Sequence, residues 1–304
     1  MVASPAISSW PRRRFRPATV QPLVIGNGAY PEERLANAVN DADAMARTLQ
    51  EIGFSVTLVR NADKRTIDEA VEAFSRRLVP GAIGLFYFSG HGVQVDGENH
   101  LVPINAQLSR QSDAQYDAVP LGKVINAMES SRATAKIIIL DACRNNPFYR
   151  RWRSTSRGGA TRGLAAPLSS GVGGTLIAFS TAPGKVAADG IGNNSNSPFT
   201  TYLLRHLRTP NLEVGQLFRR VRGDVVAVTR NEQIPWVSEA LVGEVYLHQR
   251  NTGIAVAAPP NEADPVIQPQ KPLSSAQEPQ LGDSQEKKRP TRPSGLIIRQ
   301  GDIR

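Results

Sequence analysis

Two residues of the 304-residue chain stand where nucleophilic catalysis would use them, His91 and Cys143. Cys143 is the only cysteine, and in the motif IIILDACRNNP it follows a run of apolar residues by three positions. His91 lies in FSGHG, directly after the apolar run IGLFYF. A thiol reacts as its thiolate, and an imidazole nearby can take its proton and then protonate a leaving amine. The pair therefore predicts a His/Cys catalytic dyad, weighed against a core thiol and a turn histidine with no catalytic task.

The glycines on either side of His91 favour a functional backbone at this point. We expect Gly90 and Gly92 to let the chain bend sharply and approach a ligand closely. The N–H of Gly92 could then bind an oxyanion, with the N–H of Cys143 as the second donor. One cysteine excludes an internal disulfide and a Cys-rich zinc site, and no nucleotide-binding glycine motif is present. No metal ligands are assigned.

Alternating strand and helix patterns position these two residues. Buried strands are predicted at Val20–Asn27, Ile83–Phe88 and Lys136–Leu140, with helices at Asn40–Ile52 and Thr66–Leu78 between the first two. A hairpin is predicted over residues 94–103, turning at Asp96 and Gly97. Continuous apolar strands that alternate with helices indicate an α/β fold, a largely parallel sheet covered on both faces. Functional groups gather past the carboxyl ends of such strands, where His91 and Cys143 are both expected.

Composition divides the chain into zones. Residues 1–20 form a basic, disordered segment in this interpretation, residues 21–248 a folded domain, and residues 249–304 a disordered tail rich in Pro, Gln and charge. The net charge is +9, but residues 1–20 and 144–172 together hold ten Arg and no acid, which leaves −1 for the rest. A near-neutral domain argues against nucleic-acid binding. No apolar run is long enough for a membrane helix, and no secretory signal is evident, so a soluble cytoplasmic protein is expected.

The motifs resemble those of the caspase-like cysteine peptidase superfamily (the peptidase C14 type), and within it those of bacterial metacaspases and paracaspases (orthocaspases). The resemblance covers residues 21–248 and is carried by VIGNGAY, NDADAM, YFSGHG, HLVPINA, IIILDACR, AFSTAPG and NSPFTTYLL. His91 lies 52 residues before the cysteine, close to the caspase spacing. The resemblance implies a caspase-like fold, a mostly parallel six-stranded sheet between helices. It also implies a cysteine endopeptidase that acts on peptide or protein substrates, and nothing in the sequence requires a cofactor.

The same resemblance implies a preference for Arg or Lys at the substrate position P1. Aligning the motifs places Asp41, Asp141 and Asp189 in the S1 pocket, where carboxylates would pair with a basic side chain. Alternatives stay open for each. Asp41 could instead cap its helix and competes with Asp43, Asp141 could be a structural carboxylate at the strand end, and Asp189 could be a loop residue.

Activation is open on the sequence alone. In this superfamily the loop after the nucleophile is often cut, and here it carries five candidate self-cleavage sites: Arg150, Arg151, Arg153, Arg157 and Arg162. The same arginines also fit a solvated loop that is not cut. Several metacaspases require calcium, but no D-x-D-x-D-G run supports a calcium site here. We expect a monomer, as in metacaspases. The competing function is a caspase-like scaffold with weak or no catalysis, which the intact His/Cys pair disfavours.

Overall fold

The computed structural model describes residues 19–143, 152, 173–183, 185, 187–191 and 194–249, with Cys143 described by its backbone. The predicted segment 1–20, loop 144–172 and tail 249–304 therefore lie outside the described residues, except for Thr19, Val20, Trp152 and Gln249. All five arginines predicted as self-cleavage sites lie outside them as well.

Strands and helices alternate along the described chain, as the apolar patterns predict. The strands are β1 (Val20–Gly26), β2 (Thr57–Arg60), β3 (Ile83–Val95), β4 (Glu98–Leu101), β5 (Val119–Pro120), β6 (Ala135–Cys143), β7 (Thr175–Phe179) and β8 (Trp236–Glu239). The helices are α1 (Ala38–Glu51), α2 (Lys64–Arg77), α3 (Ala114–Asp117), α4 (Leu121–Glu129), α5 (Pro198–Leu207) and α6 (Val214–Val228), with a short 3₁₀ turn at Gln111–Asp113.

Six strands form the main sheet, in the order β2-β1-β3-β6-β7-β8. All neighbours in it are parallel except β8, which runs antiparallel to β7 at the edge. Strands β4 and β5 extend the sheet from the far end of β3. The predicted α/β architecture is therefore confirmed, with two small added strands.

Alternating side chains of the central strands fill two separate apolar layers, since successive residues of a strand point to opposite faces. On one face Tyr87 and its neighbours pack with α1, α5 and α6, which contribute Met45, Phe199 and Phe218. On the other face Phe86 packs with α2 and α4. Helices thus cover both faces, as expected for parallel strands that are apolar throughout.

Strand β3 is longer than the sequence indicates, which corrects the predicted position of His91. The strand continues through the glycine-rich segment to Val95, so His91 lies within it rather than past its end. Neither Gly90 nor Gly92 has a positive φ, and the predicted sharp bend is absent. Gly90 is needed for a different reason, because a Cβ there would stand 2.8 Å from the hydroxyl of Tyr30. The predicted hairpin is present, with positive φ at both Asp96 and Gly97.

A third apolar cluster packs against the β3–β4 hairpin. It joins Val93 and Val95 of β3 to residues from three other parts of the chain, and we call it the hairpin cluster: Tyr30, Val93, Val95, Val102, Leu108, Ala114, Ala118 and Trp152. It lies at the carboxyl end of β3, beside His91.

Candidate active site

His91 and Cys143 lie side by side on neighbouring strands. The parallel pairing of β3 with β6 makes the two residues register partners, at the last paired position of β6. Neighbouring strands in a sheet are about 4.8 Å apart, which is within reach of a side-chain contact. The two residues lie in different sequence motifs, and the pairing brings them together at the carboxyl ends of the central strands.

The imidazole of His91 is oriented by a backbone carbonyl. Its Nε2 lies 2.6 Å from the carbonyl oxygen of Glu33, and its ring is 4 % exposed. A carbonyl can only accept a hydrogen bond, so Nε2 carries the proton in this contact. In the neutral ring Nδ1 is then the unprotonated nitrogen. Nδ1 has no hydrogen-bond partner among the described residues, which leaves its lone pair available to a thiol.

The protonation state of His91 follows from its burial. Desolvation lowers the pKa of this imidazole, because a buried site disfavours the charged form. The Glu33 carbonyl and nearby acidic charge oppose that effect but do not cancel it. A neutral ring with a free Nδ1 can act as a base toward a thiol.

Tyr30 holds the backbone and the ring of His91. Its hydroxyl accepts a hydrogen bond from the N–H of His91 at 2.9 Å and donates one to the carbonyl of Val102 at 2.9 Å. Its ring lies against the imidazole with the centroids 4.4 Å apart and a tilt of 45°. Sequence reasoning missed Tyr30 and Glu33, although the segment VIGNGAY that contains Tyr30 is one of the resembling motifs.

The peptide N–H of Gly92 is directed toward the β6 side of β3. The carbonyls of Ser89 and His91 bond on the other side, to the N–H groups of Asn27 and Val102. Because backbone groups of alternate residues in a strand point to opposite sides, those of Gly90 and Gly92 face β6. This direction leads toward the backbone of Cys143.

Two of the three predicted acidic residues form a buried pair. Asp41, on α1, and Asp141, on β6, both bond to Ser197, the residue that caps the N-terminus of α5. The Ser197 N–H donates to Asp41 Oδ1 at 3.0 Å, and the Ser197 hydroxyl donates to Asp141 Oδ2. Asn196 Nδ2 donates to Asp41 Oδ1 at 2.8 Å, and Thr200 Oγ1 donates to Asp141 Oδ2 at 2.7 Å. Asn196, Ser197 and Thr200 lie in the motif NSPFTTYLL, but the sequence analysis does not predict them as site residues.

Burial and mutual repulsion make this pair unfavourable when both acids are ionised. Burial, followed by the charge of Asp141, raises the pKa of Asp41 to about 8. Burial also raises the pKa of Asp141, against the hydrogen bonds from Ser197 and Thr200. No described Lys or Arg forms an ion pair with either acid. A cation placed between them would lower the free energy of the ionised pair.

Asp189 lies near the pair but has a different partner. Its Oδ2 accepts hydrogen bonds from the N–H groups of Ala36 and Asn37 at 2.9 and 3.3 Å, at the start of α1. Asn37 Nδ2 donates in return to the Asp189 carbonyl at 2.8 Å. The Asp189 charge contributes to the raised pKa of both buried acids, although its carboxylate is bound to the helix terminus.

The interpretation of Asp41 as the cap of its helix is wrong. Asn37, not Asp41, occupies the N-cap position of α1. Asp43, the other candidate in this helix, binds Arg60 through a 2.6 Å contact at the surface. Among the described residues no group of three His, Cys, Asp or Glu side chains is arranged to hold a metal ion. None of the described helices is both long and apolar enough to cross a membrane.

Comparison with known proteins points to one family. A family model described as the caspase domain matches residues 22–246. The human mucosa-associated lymphoid tissue lymphoma translocation protein 1 and its mouse homolog are each 26 % identical over 128 residues, which is 42 % of this chain. This match spans 15 % of the length of each of these relatives. The crystal structure of caspase-1 from Spodoptera frugiperda aligns with a TM-score of 0.57 and 15 % identity, covering 81 % of this chain and 99 % of that one. The last match confirms a caspase-like fold.

Proposed function

The chain belongs to the caspase-domain family, and from this premise we propose that it is a cysteine endopeptidase that cleaves peptide bonds after Arg or Lys. Membership of a peptidase family implies protein or peptide substrates. The observation that carries the finer proposal is the buried pair of Asp41 and Asp141, both bound to Ser197 and lacking a basic partner among the described side chains.

In the proposed reaction His91 and Cys143 act as the dyad. His91 Nδ1 takes the proton of the Cys143 thiol, and the thiolate attacks the carbonyl carbon of the scissile bond. The resulting oxyanion accepts hydrogen bonds from the N–H groups of Gly92 and Cys143. His91 then protonates the leaving amine, and water hydrolyses the thioester with His91 as base. These steps use only protein groups and water, so we propose no cofactor.

In the proposed S1 pocket Asp41 and Asp141 bind the basic P1 side chain. A guanidinium or ammonium group entering the site would offset the burial and repulsion that raise the pKa of both acids. Asp189 would act less directly, through its charge and by fixing its loop to the start of α1. This role differs from that of a direct P1 ligand, which the motif alignment implies for it.

We also propose self-cleavage within the arginine-rich loop, because an enzyme that accepts Arg at P1 carries such residues in the segment that follows its own Cys143 in sequence. The candidate bonds follow Arg150, Arg151, Arg153, Arg157 and Arg162. A gel that compares the wild type with Cys143→Ala tests this. Identical bands would rule self-cleavage out.

The test of specificity uses fluorogenic peptides that end in Arg, Lys, citrulline or Asp, with Cys143→Ala as the inactive control. We expect efficient cleavage after Arg and Lys, only slow cleavage after the neutral citrulline, and none after Asp. Cleavage after Asp alone would overturn the proposed S1 pocket. Absence of any cleavage, with and without calcium, would instead favour a scaffold with the same fold.

A further inference from the structure

Trp152 is a feature that the proposed reaction does not use. It lies between Arg151 and Arg153 in the acid-free loop after the nucleophile, yet its side chain is 0 % exposed. It has the largest volume of the fully buried side chains in the described part of the chain. Its Nε1 donates a hydrogen bond to the carbonyl of Leu108 at 3.1 Å. An indole buried in this way fixes the loop at one point.

The cluster that receives Trp152 also supports His91. Tyr30 and Trp152 belong to the same hairpin cluster, together with Val102 and Leu108. Tyr30 bonds to the N–H of His91 and packs on its ring, and the N–H of Val102 donates to the His91 carbonyl at 3.0 Å. The cluster therefore contacts both backbone groups of His91 and one face of its imidazole.

We propose that Trp152 is a positioning residue for the catalytic dyad, anchoring the chain that leaves the nucleophile in the same cluster that holds Tyr30 against His91. Only residues 144–151 separate the anchor from Cys143, so its position limits where the chain after Cys143 can go. A cavity of about 470 Å³ borders this cluster and is lined by Tyr30, Val102, Ile104 and Leu108. This side of the cluster therefore borders open space.

The proposal rests on the proposed dyad, and its test has two separate readouts. The first is kcat and KM on a peptide ending in Arg. The second is the rate at which iodoacetamide alkylates Cys143 as a function of pH, which requires no peptidase activity and reports proton transfer from the thiol to His91. The variants are Trp152→Ala and Trp152→Phe, with Phe74→Leu as a control in the buried layer between the sheet and α2.

For Trp152→Ala we expect kcat to fall at least about 10-fold while KM changes less than about 3-fold, since misplaced catalytic groups affect the chemical step. The alkylation midpoint should move toward the value of a free thiol, about 8.5. Trp152→Phe should show smaller changes of kcat and of the alkylation midpoint in the same directions. Phe74→Leu should be less stable than the wild type but should keep its kcat and its alkylation midpoint. If Trp152→Ala does not fold, Trp152→Phe decides.

The proposal would be overturned if the folded Trp152 variants had the same kcat and the same alkylation profile as the wild type. The wild type could show an alkylation midpoint different from that of a free thiol and yet cleave no peptide. That result would contradict the proposed peptidase function, while the alkylation midpoints of the variants would still test the role of Trp152. A wild-type alkylation midpoint at the free-thiol value would contradict the His91–Cys143 dyad and, with it, this proposal.

Discussion

Replacing Asp41 by Asn removes one charge from the acidic pair and keeps its shape. The amide oxygen of Asn can still accept the hydrogen bonds that Asn196 and Ser197 now donate to Asp41 Oδ1. The amide N–H groups can donate to the hydroxyl of Ser89, which lies 3.3 Å from Oδ2. The substitution is therefore nearly isosteric, and its effects report the charge.

The stability effect has a defined sign. Burial raises the pKa of Asp41 from 3.8 to about 8, so the folded protein keeps a proton here that the unfolded chain releases at lower pH. Such a group loses its stabilising contribution as the pH rises through this interval. Between pH 5 and pH 9 the wild type should therefore lose up to about 4 kcal/mol relative to Asp41→Asn, at about 1.4 kcal/mol for each pKa unit. In a domain of this size that is about 10 °C in Tm.

The activity effect has the opposite direction. Removing one partner of a buried charge pair costs about 3–5 kcal/mol, so kcat/KM for a P1 Arg peptide should fall by about 10²-fold to about 4 × 10³-fold. A citrulline peptide, neutral but similar in shape, should lose far less. The variant would thus be more stable at high pH and less active.

The assay measures Tm at pH 5, 7 and 9 and kcat/KM for the Arg and citrulline peptides. Asp43→Asn is the matched control, because that acid lies two residues away in an exposed ion pair with Arg60 that is worth about 0–1 kcal/mol. A Tm difference that does not grow with pH would refute the reasoning about the buried carboxyl. Unchanged cleavage after Arg by Asp41→Asn would refute its role in S1.

Three further predictions follow from the same geometry. At pH 7, ¹⁵N NMR of His91 should show the proton on Nε2 and none on Nδ1; the reverse tautomer would contradict the Glu33 contact. Mass spectrometry of self-cleaved protein should locate the cuts after Arg157 or Arg162 and not beside buried Trp152, with Cys143→Ala as the uncut control; a major cut after Arg151 or Arg153 would disprove this. Asp189→Ala should lower stability by about 1 kcal/mol through loss of the contact with the start of α1. It should also raise KM for P1 Arg, because it frees the loop and removes a charge; an unchanged Tm and KM would contradict both roles.

The sequence predicts the parts of this site that depend on local pattern. Apolar runs that end three residues before His91 and Cys143 indicate parallel strands, and the structure pairs the two residues in register. The same local reasoning fails within FSGHG, where two glycines suggest a bend. There the strand continues, because β4 pairs with its far half and Tyr30 requires a residue without a Cβ at position 90.

The rest of the site depends on contacts between distant parts of the chain. Tyr30 and Glu33 meet His91 across about 60 residues, and Ser197 meets Asp41 across more than 150. No periodicity or spacing encodes such contacts. A serine that joins two acids also looks, in sequence, like an ordinary helix cap, which it is as well.

The contact between His91 and Glu33 has a consequence for how the sequence of this site can evolve. The group that orients the imidazole is a peptide carbonyl, so no side-chain substitution deletes it, whereas a carboxylate in that place would be lost by one codon change. What position 33 must preserve is its left-handed backbone, at φ 55°. Asn or Gly would suit that conformation at least as well as Glu. Orthologous chains can therefore vary here among residue types that tolerate a positive φ and still keep the contact, so a search for invariant residues would miss this part of the active site.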